Sequence, residues 1–442
     1  MEIHCLVVRY GSDPEHRSNF PLHFLILPFI LGQLLITNIW DFPIYCGFLF
    51  LVIVFHPALS TFFKDLSQRL PLLKHFDPLL LRTLTCFALI LFALLISAPF
   101  LLYYEGQQQG IRIVKDRSVL SEFLIQYGLF ILIIILYLRH RFRHYLTDER
   151  SKKALMIAGF LCILLYLLLK FWVLLLVFGL TMIFLYLVMN QVDQETIFTD
   201  TLLLAGVGLL FLCEIIYIKD FYGGQPRMNT VFKFGYQAWI LLSLAIPAMV
   251  AHLFSEKNSS GNVRLKSGYV LMILIGFSVM TIFPIFGTYS YSYHFKPSPT
   301  LDGMQFISRH HPHDARAIEW LQDLEGIKVL LEAPGDSYKY HSVYSTFGGH
   351  VTVIGWQQHE SLWRDWSWKL VKERVTEVDD IYEGSDRHKA AALIKKFHLD
   401  YIVFGPHEHE KYGQSSYNWL HTSFPTAFQS GMVTIFEVPG TD

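Results

Sequence analysis

The sequence predicts an α-helical membrane bundle of about nine spans, followed by a small extracytoplasmic α/β domain. Three observations predict it. Of the 442 residues, 52% are hydrophobic and only 17% are charged, a mix found in polytopic membrane proteins rather than in soluble domains. The apolar residues come in runs near the ~20 residues that a helix needs to cross a bilayer. Charge balance and periodicity both change near residue 293. Residues 1–293 carry 22 Lys and Arg against 17 Asp and Glu, whereas residues 294–442 carry 14 against 20. The two parts therefore face different surroundings. Residues 1–293 are read as the transmembrane domain and 294–442 as the extracytoplasmic one.

The elements follow in order. Residues 1–19 are short, mixed and charged, without the basic start and small-residue cleavage site of a signal peptide, so the apolar run after them reads as a retained span. Spans are expected at 20–37, 42–56, 84–103, 122–138, 154–169, 171–189, 200–218, 234–254 and 268–287. The run 154–189 reads either as two spans turning near Lys170 or as one long tilted helix, and the choice inverts everything on one side of it. Positive charge arbitrates. The loop 139–153 (Arg139, Arg141, Arg143, Arg150, Lys152 and Lys153) is the most basic, and loops 57–83 and 255–267 are moderately so. Nine spans put all three on the cytoplasmic side. The N-terminus is then cytoplasmic, and the unusual polar stretches Asn38–Asp41, Tyr103–Gly110 and 220–233 share the outer face with 294–442.

Residues 288–300 read as an interfacial aromatic belt and a Pro-rich linker. Beyond them, helices are expected at 315–324 (capped by Asp314), 362–375 and 387–397, and strands at 328–332, 351–354, 401–404 and 433–438. About 140 residues suffice for a core of their own.

Several function classes are disfavoured. The cysteines at 5, 46, 86, 162 and 213 leave the polar part without a disulfide and show no metal-type spacing. No dense basic stripe suits a nucleic-acid partner. Neither a Gly-x-Ser-x-Gly elbow nor a dinucleotide fingerprint is present.

The candidate site centres on Asp220–Phe234, with Gln237 and Trp239 beyond it. Gly223, Gly224 and Pro226 let the chain turn before a new helix. Arg227, Asn229 and Lys233 at a membrane surface need partners: they either anchor helix ends or form a pocket for an anionic, phosphate-bearing group. In Asn38-Ile-Trp-Asp41, Asp41 is a general base or cation binder, a cap for the helix beginning Phe42-Pro43, or both. Glu105 and Glu332 stand behind it as carboxylate candidates, Glu332 ahead of an Ala-Pro-Gly turn that is itself an ordinary loop signal. Trp356, His359, Glu360 and Arg364 gather hydrogen-bonders among aromatic faces, suited to holding a sugar ring or to packing at a membrane surface. No zincin motif exists there, since position 363 is Trp. The tracts Arg309–His313 and His407–Glu410 lack fixed metal-ligand spacing and read as solvated loops.

Arg227-Met-Asn-Thr-Val-Phe-Lys-Phe234 with Gln237-Ala-Trp239 resembles the prokaryotic YYY-domain family of membrane proteins. Asn38-Ile-Trp-Asp-Phe-Pro43, Pro299–Gly303, Glu332–Gly335 and Gly355–Arg364 resemble its further motifs in the same order. That family resembles the GT-C glycosyltransferases, which take a sugar from a polyprenyl-phosphate donor on the extracytoplasmic side. The resemblance implies that Arg227 and Lys233 neutralise the donor phosphate while Asn229 orients it. Asp41 would act as base, and Trp356, His359, Glu360 and Arg364 would bind the acceptor. It also implies a chain shortened at its N-terminus, with a second chain as one source of the missing spans. No cofactor is specified, and a divalent cation is compatible. The expected partners are the bilayer and a polyprenyl-phosphate sugar, with no nucleic acid. A non-catalytic subunit binding a glycan or lipid is the alternative. A transporter, resting on Lys170 and Glu214, is the weaker one.

Overall fold

One helix start in the first part is set by a capping side chain and a proline. Asp77 accepts hydrogen bonds from the amides of Leu79 (2.7 Å) and Leu80 (3.2 Å) just ahead of Pro78, so a helix expected from 84 starts at 78. The computed structural model describes residues 20–69, 75–104, 110–142, 171–190, 195–219, 225–254, 263–296, 300–362 and 368–440. These fall into two compact units that divide between Tyr291 and Ser292.

The first unit contains α1 (Phe20–Thr37), α2 (Asp41–Phe55), α3 (Pro57–Arg69), α4 (Pro78–Ile96), β1 (Ile111–Ile113), α5 (Leu120–Arg141), α6 (Trp172–Met189), α7 (Ile197–Ile215), β2 (Ile216–Ile218), α8 (Met228–Phe254) and α9 (Val263–Tyr291). Among the described residues, six helices are long and apolar enough to cross a bilayer: α4 to α8, and Ser267–Tyr291 within α9. Ile26–Thr37 and α2 are shorter apolar helices. The expected span 154–169, and Lys170, lie outside the described residues. Two expectations need correction. The loop 57–83 contains α3, where Leu59, Phe63 and Ser67 are buried at four-residue spacing, the interval that puts side chains on one helix face. The span expected at 200–218 ends at 215, and its last three residues form β2, paired antiparallel with β1.

The centre of this unit is α7. Of its apolar window, 72% is buried, against none of that of α9, so α7 is enclosed by protein while the apolar window of α9 stays exposed, as suits a lipid-facing helix. Tyr137, Phe184, Leu203 and Leu241 from α5, α6, α7 and α8 close the core. At Gly206 a Cβ would lie 2.8 Å from Leu242, so the missing side chain lets α7 and α8 pack this closely.

The second unit contains α10 (Met304–His310), α11 (Pro312–Gln322), β3 (Val329–Leu331), α12 (Val343–Gly348), β4 (Val351–Thr352), α13 (Gln357–Leu362), α14 (Trp368–Glu383), α15 (Arg387–Phe397), β5 (Tyr401–Phe404), α16 (Pro406–Ser423), β6 (Thr426–Ser430) and β7 (Val433–Glu437). The sheet order is β4-β3-β5-β7-β6, with β3 parallel to β4 and β5, and β7 antiparallel to β5 and β6. Strand alternation sends neighbours to opposite faces. Leu331, Ile402, Phe404 and Phe436 meet residues of α14 to α16, while Leu330, Val403, Val433 and Ile435 meet α10 and α11. Asp314 does not cap its helix: α11 begins two residues earlier at Pro312, and Asp314 is buried, accepting from the hydroxyls of Tyr340 (3.1 Å) and Tyr344 (2.9 Å). The tract His407–Glu410, expected as a solvated loop, opens α16, with Glu408 buried.

Candidate functional site

In the first unit, the C-terminal end of α7 and the residue ahead of α8 are joined by charge, while 220–224 lie outside the described residues. Arg227 donates from Nη2 to Oε1 of Glu214 (2.8 Å) and to the carbonyl of Cys213 (2.7 Å), and from Nη1 to the carbonyl of Asp116. Glu214 is 2% exposed. It also accepts from the Ser118 hydroxyl (2.6 Å) and amide (3.2 Å). Arg117 donates to the carbonyl of Glu214, and its guanidinium lies 4.3 Å from the Phe171 ring centroid. Thr230 adds to this junction, its hydroxyl accepting from the amide of Ile218 (2.9 Å). A buried carboxylate needs this degree of satisfaction. The donors of Arg227 are thus given to protein acceptors, except its buried Nε.

One helix face away, a second set forms. Asp41 opens α2, where the positive end of the helix favours a carboxylate. It makes no side-chain cap: the residue ahead of the helix is Trp40, and Asp41 Oδ1 instead accepts from Nε2 of Gln237 (2.8 Å). Oε1 of Gln237 in turn accepts from the Tyr45 hydroxyl (2.8 Å). Trp40 packs edge-on against Phe234 with centroids 6.1 Å apart. The two sequence stretches singled out in this unit therefore meet. Asn229, Lys233 and Gln237 follow at four-residue steps of α8, so they share one face about 6 Å apart along the axis. Lys233 lies 5.7 Å from the Phe232 ring centroid and has no carboxylate partner among the described residues.

The other end of α7 carries a charge pair that sequence reasoning missed. Asp200, fully buried, pairs with Arg141 at 2.6 Å and accepts from the Tyr137 hydroxyl at 3.1 Å. The signal was available: an acidic residue inside an apolar run demands a partner, and the basic end of α5 is the nearest supply.

In the second unit, Glu332 is 2% exposed and is occupied by backbone: Oε1 accepts from the amide of Tyr344 (3.0 Å) and Oε2 from that of Ser345 (3.1 Å). Burial pushes its carboxyl up to about 7, the hydrogen bonds to Ser345 and Tyr344 oppose that, and Glu408 adds to it. Glu408 accepts from the amides of Ala333 (2.7 Å) and Gly405 (2.8 Å), and burial raises it too. The pair ties the loop after β3 to the loop after β5. Trp356, His359 and Glu360 line a cavity of about 780 Å³ with His341, Ser342 and Thr352. Trp356 sits edge-on to His359 (5.4 Å) and donates to the carbonyl of His341 (3.3 Å). Arg364 and Glu105 lie outside the described residues. Among the described residues no three metal-ligating side chains gather.

A family model described as "Uncharacterized membrane protein (DUF2298)" matches residues 3–242. The chain belongs to this family. Its match holds more than half of the sequence and takes in Asp41, Glu214, Arg227, Asn229, Lys233 and Gln237. For the DUF2298 chain, no curated protein and no solved structure matches.

Proposed function

We propose that this DUF2298 protein is a GT-C-like integral membrane glycosyltransferase that uses a polyprenyl-phosphate-linked sugar. The reading has nine spans, a cytoplasmic N-terminus and an extracytoplasmic C-terminal domain. One observation carries it: Gln237 holds the Asp41 carboxylate of α2 against the face of α8 that also carries Lys233, a cation lacking a carboxylate partner among the described residues. Lys233 and Asn229 would bind the donor phosphate through charge-assisted hydrogen bonds. Arg227, paired with Glu214, would fix the start of α8 beside them. The acceptor oxygen attacks the anomeric carbon, the bond to phosphate breaks, and the acceptor proton passes to Asp41. The leaving group is a phosphate, so electrostatic stabilisation and one base suffice. Trp356, His359, Glu360 and Arg364 would hold the acceptor. The sugar donor and the GT-C type come from the YYY-like motifs, an analogy that carries fold better than activity.

The test uses membranes containing the full chain, labelled polyprenyl-phosphate sugars, and the variants Asp41→Asn and Lys233→Ala. Transfer should be lost in both. Full transfer in both would sink the reading. A second reading, a non-catalytic subunit that binds a glycan or lipid, is favoured by the commitment of Arg227 to Glu214. It predicts Lys233-dependent retention of the labelled lipid with no turnover.

A further inference from the structure

Asp41 and Tyr45 stand four residues apart on α2, the interval that puts two side chains on one helix face. The buried Gln237 of α8 reaches both. Its Nε2 donates to Oδ1 of Asp41 (2.8 Å), and its Oε1 accepts from the Tyr45 hydroxyl (2.8 Å). A side-chain amide has one donor end and one acceptor end. The Asp41 carboxylate decides which end faces it, and the Tyr45 hydroxyl satisfies the other. That second bond does two things. It anchors the amide between the two helices, and it polarises the group so that the N–H toward Asp41 is a stronger donor. Among the described residues, Asp41 makes no ion pair and no other side-chain hydrogen bond. Its Oδ1 is therefore held by this amide, while Oδ2 is left for another group. Charges on other elements packed against α2 are engaged elsewhere: Asp200 with Arg141, Glu214 with Arg227, and Arg82 with the carbonyl of Val54. The helix α1 carries no Asp, Glu, Lys or Arg, and α3 follows the far end of α2.

We propose that Tyr45 is a positioning residue for the Asp41 carboxylate, acting only through the Gln237 amide that it anchors and polarises. A phenylalanine at 45 would keep the ring, which packs at the edge of the core formed by α1 to α4, and delete the hydroxyl alone. The loss then falls on the amide, and through it on Asp41.

The inference rests on reading Asp41 as the base of a transferase, but its main test needs no donor or acceptor. The full chain in lipid nanodiscs is treated with dicyclohexylcarbodiimide, which adds to a protonated carboxyl, and the adduct at Asp41 is followed by mass spectrometry. Removing a donor from the carboxylate makes protonation easier. Gln237→Leu should therefore raise the labelling rate about tenfold, and Tyr45→Phe about threefold. In the Gln237→Leu background, Tyr45→Phe should add nothing. Tyr127→Phe is the control: it deletes a hydroxyl that donates to the carbonyl of Gly235, two residues from Gln237 on α8, and should leave the rate unchanged. In membranes that transfer sugar, Tyr45→Phe should lower kcat about threefold at unchanged KM. An unchanged rate in Tyr45→Phe, a further rise in the double variant, or an equal rise in Tyr127→Phe would each overturn the proposal. The expected labelling pattern without any transfer would sink the transferase reading alone. Transfer together with strictly additive labelling would sink this inference alone.

Discussion

The side-chain amide of Gln237 donates to the carboxylate of Asp41 across 2.8 Å, joining positions 196 residues apart in sequence. The acceptor is charged and part-buried, so the bond should be stronger than a neutral one. Thermal unfolding of the full chain in nanodiscs, with Gln237→Ala, Asp41→Asn and the double variant, should give a coupling of roughly 1–2 kcal/mol. Strictly additive losses would mean that the two side chains act independently.

Arg227 and Lys233 stand six residues apart on one stretch and should behave oppositely. Removing Arg227 leaves Glu214 buried without its charge partner, which costs about 3–5 kcal/mol in such pairs. Arg227→Gln should therefore unfold the first unit early, and adding Glu214→Gln should recover much of the loss. Lys233→Gln breaks no ion pair among the described residues and should change stability by no more than about 0.5 kcal/mol. Equal destabilisation by the two single variants would contradict this division of labour.

Glu332 gives the second unit a pH dependence of definite sign. Its folded carboxyl keeps its proton to about 7, against an ordinary 4.5. Between those values the folded state binds more protons than the unfolded one. The contribution of Glu332 is therefore fully present below about pH 4.5 and is lost as pH rises through about 7, a swing of roughly 1–3 kcal/mol. Glu332→Gln cannot titrate. Hydrogen exchange at α12, compared from pH 5 to 8, should show a flatter profile in the variant. Parallel profiles would mean that Glu332 does not titrate in this range.

How much of this was legible in the sequence depends on the range of the forces involved. Span positions follow from local hydropathy, and Arg387–Phe397 and Tyr401–Phe404 match their expected limits because Asp386 caps the first and the second is a purely apolar run. Reading Asn38–Asp41 and the stretch 220–233 as polar stretches of one face pointed to their neighbourhood, not to the Gln237–Asp41 contact that joins Asp41 to α8. What stayed hidden is tertiary. Asp41 looked like a cap because Pro43 follows it, yet a side chain from α8 outcompetes the local amides. Glu332 looked like a chemical carboxylate at a strand end, yet the amides opening α12 claim both of its oxygens. Asp314 followed the same course with two tyrosine hydroxyls. The helix α16 was missed because its polar, His-rich sequence buries few side chains, Glu408, Ser416 and Leu420 among them.

Gly335 and His341 supply the last prediction. A Cβ at Gly335 would overlap the His341 imidazole, whose ring also packs on His407 with centroids 4.4 Å apart. Gly335 is not among the glycines with positive φ, so alanine is excluded by the ring rather than by the backbone. Gly335 also pairs with Trp356 and accepts from the amide of Gln357 (3.2 Å), so the chain cannot simply move away. Gly335→Ala should cost roughly 1–3 kcal/mol as an overpacking change. It should also turn His341 out of its buried position, so that its pKa, lowered by burial and by His407, moves back up when followed by NMR. In a His341→Ala background the same substitution has nothing to strike and should be close to neutral. An undiminished cost in that background would place the strain in the backbone and separate Gly335 from the cavity wall.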